Sequence, residues 1–209
     1  MQPGLSRRTC LLALPAGLGL GGWAAPARAG GQLEEPLADS VRSALRAAIA
    51  YSAPPESEFR TTEARLQYLR WRIRMGARLT RRMPDLQERD EFLQTVWYEA
   101  TRAGLDKSLV LGLIQVESAF RRRAISQVGA RGYMQVMPFW ARVIGDGDPG
   151  NLFVTQTNLR FGCVILRHYL ERERGDLFLA LGRYNGSRGR APYPDAVLGA
   201  TRQWELGSA

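Results

Sequence analysis

The residue best placed for acid–base chemistry is Glu117, a carboxylate where the surrounding pattern calls for an apolar side chain. Val110, Leu113 and Ile114 precede it at the spacing of one buried helical face, and Asp106 is typical of a residue that caps such a helix. Burial of a carboxyl disfavours its charged form and raises its pKa. A carboxyl that stays protonated near neutral pH can serve as a general acid.

Glu117 also has a structural interpretation. It could end the helix and pair with Arg121, Arg122 or Arg123, which follow it closely in the sequence. Such ion pairs perturb pKa values as well. The helical stripe by itself favours neither interpretation.

A second candidate segment, residues 129–138, combines glycines with an amide among apolar side chains. The glycines let the backbone approach a substrate closely, and Met134 beside Gln135 offers an apolar wall next to a hydrogen-bonding group. An amide with apolar neighbours needs a partner, so we interpret Gln135 as a ligand-binding residue. Val136 and Met137 are interpreted as ordinary core in front of a proline-started helix.

Tyr184 and Asn185 form a third candidate, between a short predicted helix and Gly186. On their own they are typical of a turn, with Asn185 in a left-handed conformation.

These three segments resemble, in order and spacing, the motifs of a known family. Glu117-Ser118, the Gly-Tyr-Met-Gln-Val-Met-Pro run at residues 132–138 and the Tyr184-Asn185 pair are similar to those of lytic transglycosylase catalytic domains of the soluble type. The resemblance covers roughly residues 86–204. It implies an all-α, lysozyme-like fold related to goose-type lysozymes, and glycan strands of peptidoglycan as the substrate.

The resemblance also implies roles for individual residues. Glu117 would be the catalytic residue, and Tyr184 would hydrogen-bond its carboxyl. Asn185 would contact the N-acetyl group of the glycan, and Ser118 would lie beside Glu117 and the glycan. Tyr133 departs from the family pattern, which has a leucine there, and adds a hydroxyl that must find a partner.

Most glycosidases use two carboxylates. The candidates for a second are Asp146 and Asp148, but a turn explains their Gly-Asp-Gly-Asp-Pro context. One carboxylate suffices when the substrate supplies its own nucleophile. The resemblance implies that Glu117 protonates the β-1,4 linkage between N-acetylmuramic acid and N-acetylglucosamine. It would then take a proton from the 6-hydroxyl, which leaves 1,6-anhydromuramyl ends.

This chemistry needs neither a metal nor an organic cofactor, and a single histidine with a single mature-chain cysteine, Cys163, cannot build a familiar zinc site. Two alternatives stay open at this point. The enzyme could be a muramidase that hydrolyses the same bond. The chain could also be a non-catalytic glycan-binding protein of the envelope or of a secretion machine, although Glu117 argues against that.

The first 29 residues are predicted to be a cleaved export signal. Arg7 and Arg8 precede a run of mostly Leu, Ala and Gly that is shorter than the roughly 20 residues needed to span a bilayer, and Ala27-Arg28-Ala29 fits a cleavage site. The paired arginines fit twin-arginine export as well as ordinary secretion. We therefore expect a mature chain without a transmembrane segment, in the periplasm or cell envelope.

The charge of the chain is +9, and removal of a signal with three arginines and no acid leaves +6. Such a balance favours an anionic partner. The candidates are nucleic acid, a membrane surface and an acidic cell-wall polymer, and export makes nucleic acid the least expected of the three. Most of the arginines are interpreted as a solvated face.

Apolar periodicity predicts an all-α chain of about seven or eight short helices and no strand. Helices are expected over residues 36–51, 62–83, 86–103, 106–120, 138–144, 155–174, 176–181 and 193–204. In the second of them, the apolar positions expected to face the core are Leu66, Leu69, Ile73 and Leu79.

Residues 30–83 are predicted to be an N-terminal helical arm with a linker at 53–57, and residues 84–209 the lysozyme-like transglycosylase domain. The arginine-rich arm could dock onto an envelope or secretion-machine partner.

Overall fold

The computed structural model describes residues 32–50 and 59–206, so the predicted signal and the predicted linker lie outside the described residues. The helices are α1 Asp39–Ala50, α2 Thr62–Leu79, α3 Leu86–Arg102, α4 Lys107–Ser118, α5 Pro138–Ile144, α6 Thr155–Arg172, α7 Leu177–Tyr184 and α8 Pro192–Arg202, with a 3-10 helix at Pro149–Phe153. Within these ranges β-structure is limited to isolated bridges at Ile125, Arg131 and Val136. The all-α prediction is confirmed.

Helix α4 is the central helix of the domain. Its start is fixed by Asp106, whose side chain accepts hydrogen bonds from the backbone N–H groups of Ser108 and Leu109 at 2.8 and 3.0 Å. Its side chains are buried on nearly every face, and it packs most extensively against α8. Gly112 allows this close packing, because a Cβ there would come within 2.6 Å of the backbone nitrogen of Thr201.

Helix α2 packs onto α3 with a face that matches the predicted one only in part, because Leu79 is buried as expected. Its buried side chains are Tyr68, Trp71, Met75 and Leu79. Leu66 and Ile73, which were expected in the core, are 40% and 72% exposed. The aromatic stripe removes more apolar area from water than the aliphatic one, so it decides which face is buried.

The C-terminal end of α1 is held by a buried ionic network. Glu99, 1% exposed, pairs with Arg102 and Arg160 at 3.1 and 3.3 Å. The two arginines in turn donate hydrogen bonds to the carbonyls of Ala48 and Ile49 in the last turn of α1. The predicted N-terminal arm thus packs on the core of the domain in its described helices, and a docking role for it stays a prediction.

No helix in residues 32–50 and 59–206 combines the length and apolarity required to cross a membrane.

Candidate active site

Glu117 lies in the last turn of α4 with 6% of its surface exposed. It forms no ion pair among the described residues. The arginines that follow it point elsewhere: Arg121 donates to the Ser118 carbonyl at 3.0 Å and Arg122 to the Phe153 carbonyl at 3.2 Å. The interpretation of Glu117 as a helix-ending ion-pair partner is therefore wrong.

The hydrogen-bond partner of Glu117 is Tyr193, in the first turn of α8. The Tyr193 hydroxyl donates to Glu117 Oε1 at 2.5 Å, whereas the buried Oε2 has no hydrogen-bond partner. Burial raises the Glu117 pKa to about 8, and the hydrogen bond from Tyr193 partly offsets this rise. At neutral pH the carboxyl is protonated, and because Oε1 accepts from Tyr193, its proton sits on the unpartnered Oε2.

Tyr184 does not play the role that the resemblance assigned to it. It is the last residue of α7, fully buried, and its hydroxyl donates to the Met134 carbonyl at 2.8 Å. The prediction that Tyr184 hydrogen-bonds the catalytic carboxyl is wrong, because Tyr193 occupies that position. Tyr184 still lies close enough for the charge of Glu117 to contribute, after burial, to raising the pKa of its phenol.

Sequence reasoning used Tyr193 only as a helix boundary. Its hydrogen bond to Glu117 joins residues 76 positions apart, so no local periodicity connects them. The one signal in the sequence was an aromatic residue with a polar tip between Pro192 and Pro194, at the start of a helix.

The segment at residues 132–138 forms a tight, internally bonded turn rather than an apolar wall. Met134 is fully buried, and its side chain fills the space that a Cβ on Gly162 of α6 would need. The prediction that the Met134 side chain lines a substrate surface is therefore wrong. The core interpretation of Val136, which is fully buried, is confirmed.

Gln135 has found its partners within the protein. It adopts a left-handed conformation with φ of 48°, and its Nε2 donates to the carbonyls of Gly132 at 2.9 Å and Ala124 at 3.2 Å. The argument that this amide needs a ligand as its partner is therefore wrong. A contact between Gln135 and the glycan stays a prediction.

Asn158 of α6, which the sequence reasoning missed, holds this turn in place. Its Oδ1 accepts from Met134 N–H, and its Nδ2 donates to the carbonyls of Arg131 and Leu152, all at 2.8 Å. Gly132, with φ of 75°, lies so close to Asn158 that a Cβ would collide with its amide. Gly132 is therefore required by the close approach of Asn158 and not by the approach of a substrate.

Ser118 and Asn185 differ in which of their side-chain polar atoms already have a hydrogen-bond partner. The Ser118 hydroxyl is buried and donates to the Ile114 carbonyl at 3.2 Å. Asn185 Nδ2 donates to Ser187 Oγ at 3.1 Å, whereas its buried Oδ1 has no partner. The left-handed position of this turn is Gly186, with φ of 74°, and not Asn185 as predicted.

Tyr133 turns away from these groups. Its ring packs 4.8 Å from that of Phe92, and its hydroxyl donates to Glu88 Oε1 at 3.1 Å. The partner that this unusual hydroxyl requires is thus a side chain of α3.

The carboxylates of Asp146 and Asp148, the candidates for a second catalytic acid, have structural roles. Asp146 Oδ1 accepts from the Asp148 N–H at 3.0 Å, and Asp148 Oδ1 accepts from the Gly150 N–H at 2.7 Å, which confirms the turn interpretation. Cys163 is buried, and burial raises the pKa of its thiol, as expected of a small hydrophobe. In residues 32–50 and 59–206, no group of three or more His, Cys, Asp or Glu side chains could hold a metal ion.

Glu117, the 132–138 turn, Tyr184 and Tyr193 all fall within residues 94–194, which match the family model described as the transglycosylase SLT domain. This segment of the chain is similar to transglycosylase SLT domains. The resemblance to the soluble lytic transglycosylase type is thereby confirmed.

Relatives of this SLT domain include two kinds of transglycosylase. A transglycosylase of Enterobacteria phage PRD1 is 35% identical over 115 residues, 52% of this chain and 42% of the phage protein. Membrane-bound lytic murein transglycosylase C of Actinobacillus pleuropneumoniae is 39% identical over 70 residues, 31% of this chain and 19% of that protein. The chain thus spans less than half the length of these curated relatives.

Among solved structures, an inactive mutant of the lytic transglycosylase Slt from Pseudomonas aeruginosa is 28% identical and matches 60% of this chain and 23% of its own, with a TM-score of 0.45. The 70 kDa soluble lytic transglycosylase of Escherichia coli is 19% identical and matches 79% of this chain and 28% of its own, with a TM-score of 0.43.

Proposed function

We propose that this protein is a peptidoglycan lytic transglycosylase that cleaves the β-1,4 bond between N-acetylmuramic acid and N-acetylglucosamine. The observation that carries the proposal is the state of Glu117 within the SLT domain. Its carboxyl is neutral at physiological pH, one oxygen is held by Tyr193, and the other is buried without a partner. A group of this kind is prepared to give a proton to a substrate oxygen.

In the first step, the proton on Glu117 Oε2 passes to the glycosidic oxygen. The bond from this oxygen to the anomeric carbon of N-acetylmuramic acid breaks, and N-acetylglucosamine leaves as an alcohol. The muramyl ring becomes oxocarbenium-like and can be stabilised by its own acetamido group. Tyr193 keeps Oε1 in place and stabilises the negative charge that develops on Glu117.

In the second step, ionised Glu117 takes the proton of the 6-hydroxyl of the same muramyl ring. The oxygen of that hydroxyl attacks the anomeric carbon and closes a 1,6-anhydro bridge, so no water is consumed. Intramolecular attack is favoured, with effective molarities on the order of 10⁵ M or more for well-placed groups. Burial makes ionised Glu117 a stronger base for this step, because its charged form is disfavoured there and recovers a proton readily.

The engagement of three other acids, the candidates Asp146 and Asp148 and the buried Glu99, supports the intramolecular route. Asp146 and Asp148 accept hydrogen bonds within their own loop, and Glu99 is paired with two arginines. None of these three is available as the second carboxylate with which hydrolysing glycosidases activate water or form a covalent intermediate.

The glycan would be oriented by groups around Glu117. We assign the unpartnered Asn185 Oδ1 to the N–H of an acetamido group. Ser118 and Gln135 are proposed to contact the glycan through their oxygens, since their donors are used within the protein. By analogy with relatives named as murein transglycosylases, the proposed site of action is the periplasm or cell envelope.

Glu117→Gln is the substitution that tests the function. The variant should release no soluble fragments from purified murein, yet it should bind glycan strands as the wild type does. Glu171→Gln, on an exposed side chain of α6, is the matched control and should cleave at the wild-type rate. Wild-type turnover by Glu117→Gln would overturn the proposal. Glycan binding without cleavage by the wild type would instead identify a non-catalytic glycan-binding protein.

A further inference from the structure

The chain segment in front of α1 lies against the candidate site. This segment, residues 32–38, has no regular secondary structure and is called the strap here. Its first described residue, Gln32, is 4% exposed, and Gln32 Oε1 accepts a hydrogen bond from the backbone N–H of Met137 at 3.3 Å. Met137 ends the 132–138 turn that reaches the start of α5. The strap therefore contacts a motif of the SLT domain directly.

A second contact anchors the strap next to Tyr184. Glu35 forms ion pairs with Arg172 of α6 and with Arg183, the residue before Tyr184. The Arg183 pair measures 2.5 Å, and only 22% of the Glu35 side chain is exposed. Both arginines are on helices, and a partly buried ion pair to a helix holds a segment better than an exposed surface pair does. Gln32 and Glu35 together fix the strap at two points, on either side of Leu33 and Glu34.

The Gln32 amide has one group left over. Its Nε2 is buried and has no hydrogen-bond partner of good geometry. The amide nevertheless approaches the Tyr184 hydroxyl closely enough to act against the rise in the pKa of that phenol. That hydroxyl already donates to the Met134 carbonyl. An unpaired buried donor is uncommon in proteins and calls for a partner.

Three unpartnered buried atoms belong to Asn185, which follows Tyr184 in the chain, and to Glu117 and Gln32, which both influence the Tyr184 phenol, and these atoms complement one another. Asn185 Oδ1 and Glu117 Oε2 are oxygens, whereas Gln32 Nε2 is an N–H donor. An N-acetylated sugar carries an acetamido N–H, an acetamido carbonyl and ring hydroxyls, so it can satisfy groups of both kinds. No apolar or purely anionic ligand can do so.

We propose that Gln32 is a further substrate-binding residue, whose Nε2 donates a hydrogen bond to an oxygen of the N-acetylated sugar bound beside Glu117. The inference rests on the proposed function and extends it to a residue outside the segment that matches the SLT family, residues 94–194. The strap positions Gln32, and the SLT domain supplies the acid.

Two substitutions at Gln32, made in the complete chain, separate the role of its amide oxygen from the role of its amide nitrogen. Gln32→Met keeps the length of the side chain and removes both polar groups. Gln32→Glu keeps an oxygen for the Met137 N–H and removes the donor. Glu34→Gln, an exposed neighbour on the same strap, is the matched control. For each variant, KM and kcat are measured on peptide-free glycan strands, together with the thermal midpoint.

Both Gln32 variants should raise KM about five- to tenfold, the effect of one lost hydrogen bond between neutral groups. Gln32→Glu should lower the thermal midpoint, because it places a carboxyl at a buried position, and Glu34→Gln should match the wild type throughout. Loss in Gln32→Met but not in Gln32→Glu would overturn the proposal, because only the bond to Met137 would then matter. Unchanged KM in both variants, or faster cleavage by either, would overturn it as well.

The affinity for glycan strands is measured in parallel in a Glu117→Gln background, where turnover is not needed. There, either Gln32 substitution should weaken binding by the same factor. This arm tests Gln32 even where the wild type fails to cleave murein, so failure of the proposed function and failure of this inference give different results.

Discussion

The hydroxyl of Tyr193 donates a hydrogen bond of 2.5 Å to Oε1 of Glu117 and so joins the start of α8 to the end of α4. This bond fixes the orientation of the carboxyl. It also determines which oxygen carries the proton, since Oε1 is occupied as an acceptor. The close approach of α4 and α8 at Gly112 and Thr201 holds the two elements in this relation.

Tyr193→Phe tests this relation by removing the hydroxyl alone. Because Tyr193 stabilises the charge that develops on Glu117, kcat/KM should fall about 10- to 100-fold, the range for a lost hydrogen bond to a charged group. In the wild type this hydrogen bond lowers the Glu117 pKa. Its loss should therefore raise the pKa and move the alkaline limb of the rate profile to higher pH. Initial rates of murein cleavage between pH 5 and pH 10 measure both.

Tyr184→Phe is the control for that experiment. It removes the bond to the Met134 carbonyl and should lower the thermal midpoint, but it should leave the alkaline limb in place. If the alkaline limb of the rate profile moved in Tyr184→Phe and stayed in place in Tyr193→Phe, Tyr184 and not Tyr193 would be the residue that acts on Glu117.

The raised pKa of Glu117 predicts the shape of the wild-type rate profile. The acid acts in its protonated form, so kcat/KM should fall as pH rises through about 8. In Glu117→Gln this limb should vanish along with the activity. A wild-type rate that is flat from mildly acidic to alkaline pH contradicts a single buried general acid.

The same pKa predicts how stability depends on pH. Glu117 titrates near 8 in the folded protein and near 4.5 when unfolded. Between these values the unfolded chain has released the proton that the folded chain keeps. The Glu117 contribution to the free energy of unfolding should therefore fall with rising pH, by at most about 1.4 kcal/mol per unit. Denaturant unfolding at pH 5 and pH 8 should show Glu117→Gln gaining stability relative to the wild type at pH 8. An identical difference at both pH values contradicts this.

How far the sequence predicted the structure depended on whether a signal was local. The stripe of α4 and its cap at Asp106 depend on neighbours within a few turns, and both are confirmed. The buried face of α2 was predicted only in part, at Leu79, because the aliphatic stripe and the aromatic stripe have the same helical period. Their periodicity is equal, and only the area that each buries against α3 decides between them.

The sequence predicted the acid of the candidate site, Glu117, but not the residues that hold the site in place. Tyr193 and Asn158 contact Glu117 and Met134 from helices distant in the sequence, and nothing near either residue indicates the partner. Gln135 and Met134 were taken for substrate contacts because their residue types suit a sugar. In the folded chain, the Gln135 amide nitrogen and the Met134 side chain instead satisfy the turn and fill the space beside Gly162.

Gly112→Ala tests whether the α4–α8 contact positions the acid. A Cβ at Gly112 would press on Thr201, so the helices must separate, at a cost of about 1–3 kcal/mol. Activity should fall further than stability alone explains, because Tyr193 moves with α8. Gly76→Ala, in α2, is the control: its Cβ would make an ordinary 3.7 Å contact with Leu93, so stability should be unchanged or slightly higher. Thermal unfolding and murein cleavage of the two variants give the comparison, and equal behaviour would contradict it.

The chemical form of the cleaved ends tests the account most directly. Purified murein is digested with the wild-type protein, and the new muramyl ends are identified by mass spectrometry. A lone carboxyl that serves first as acid and then as base predicts 1,6-anhydromuramyl ends, in amounts that follow the loss of substrate. Reducing ends, heavier by one water, would show that water and not the 6-hydroxyl attacks, and would contradict the account.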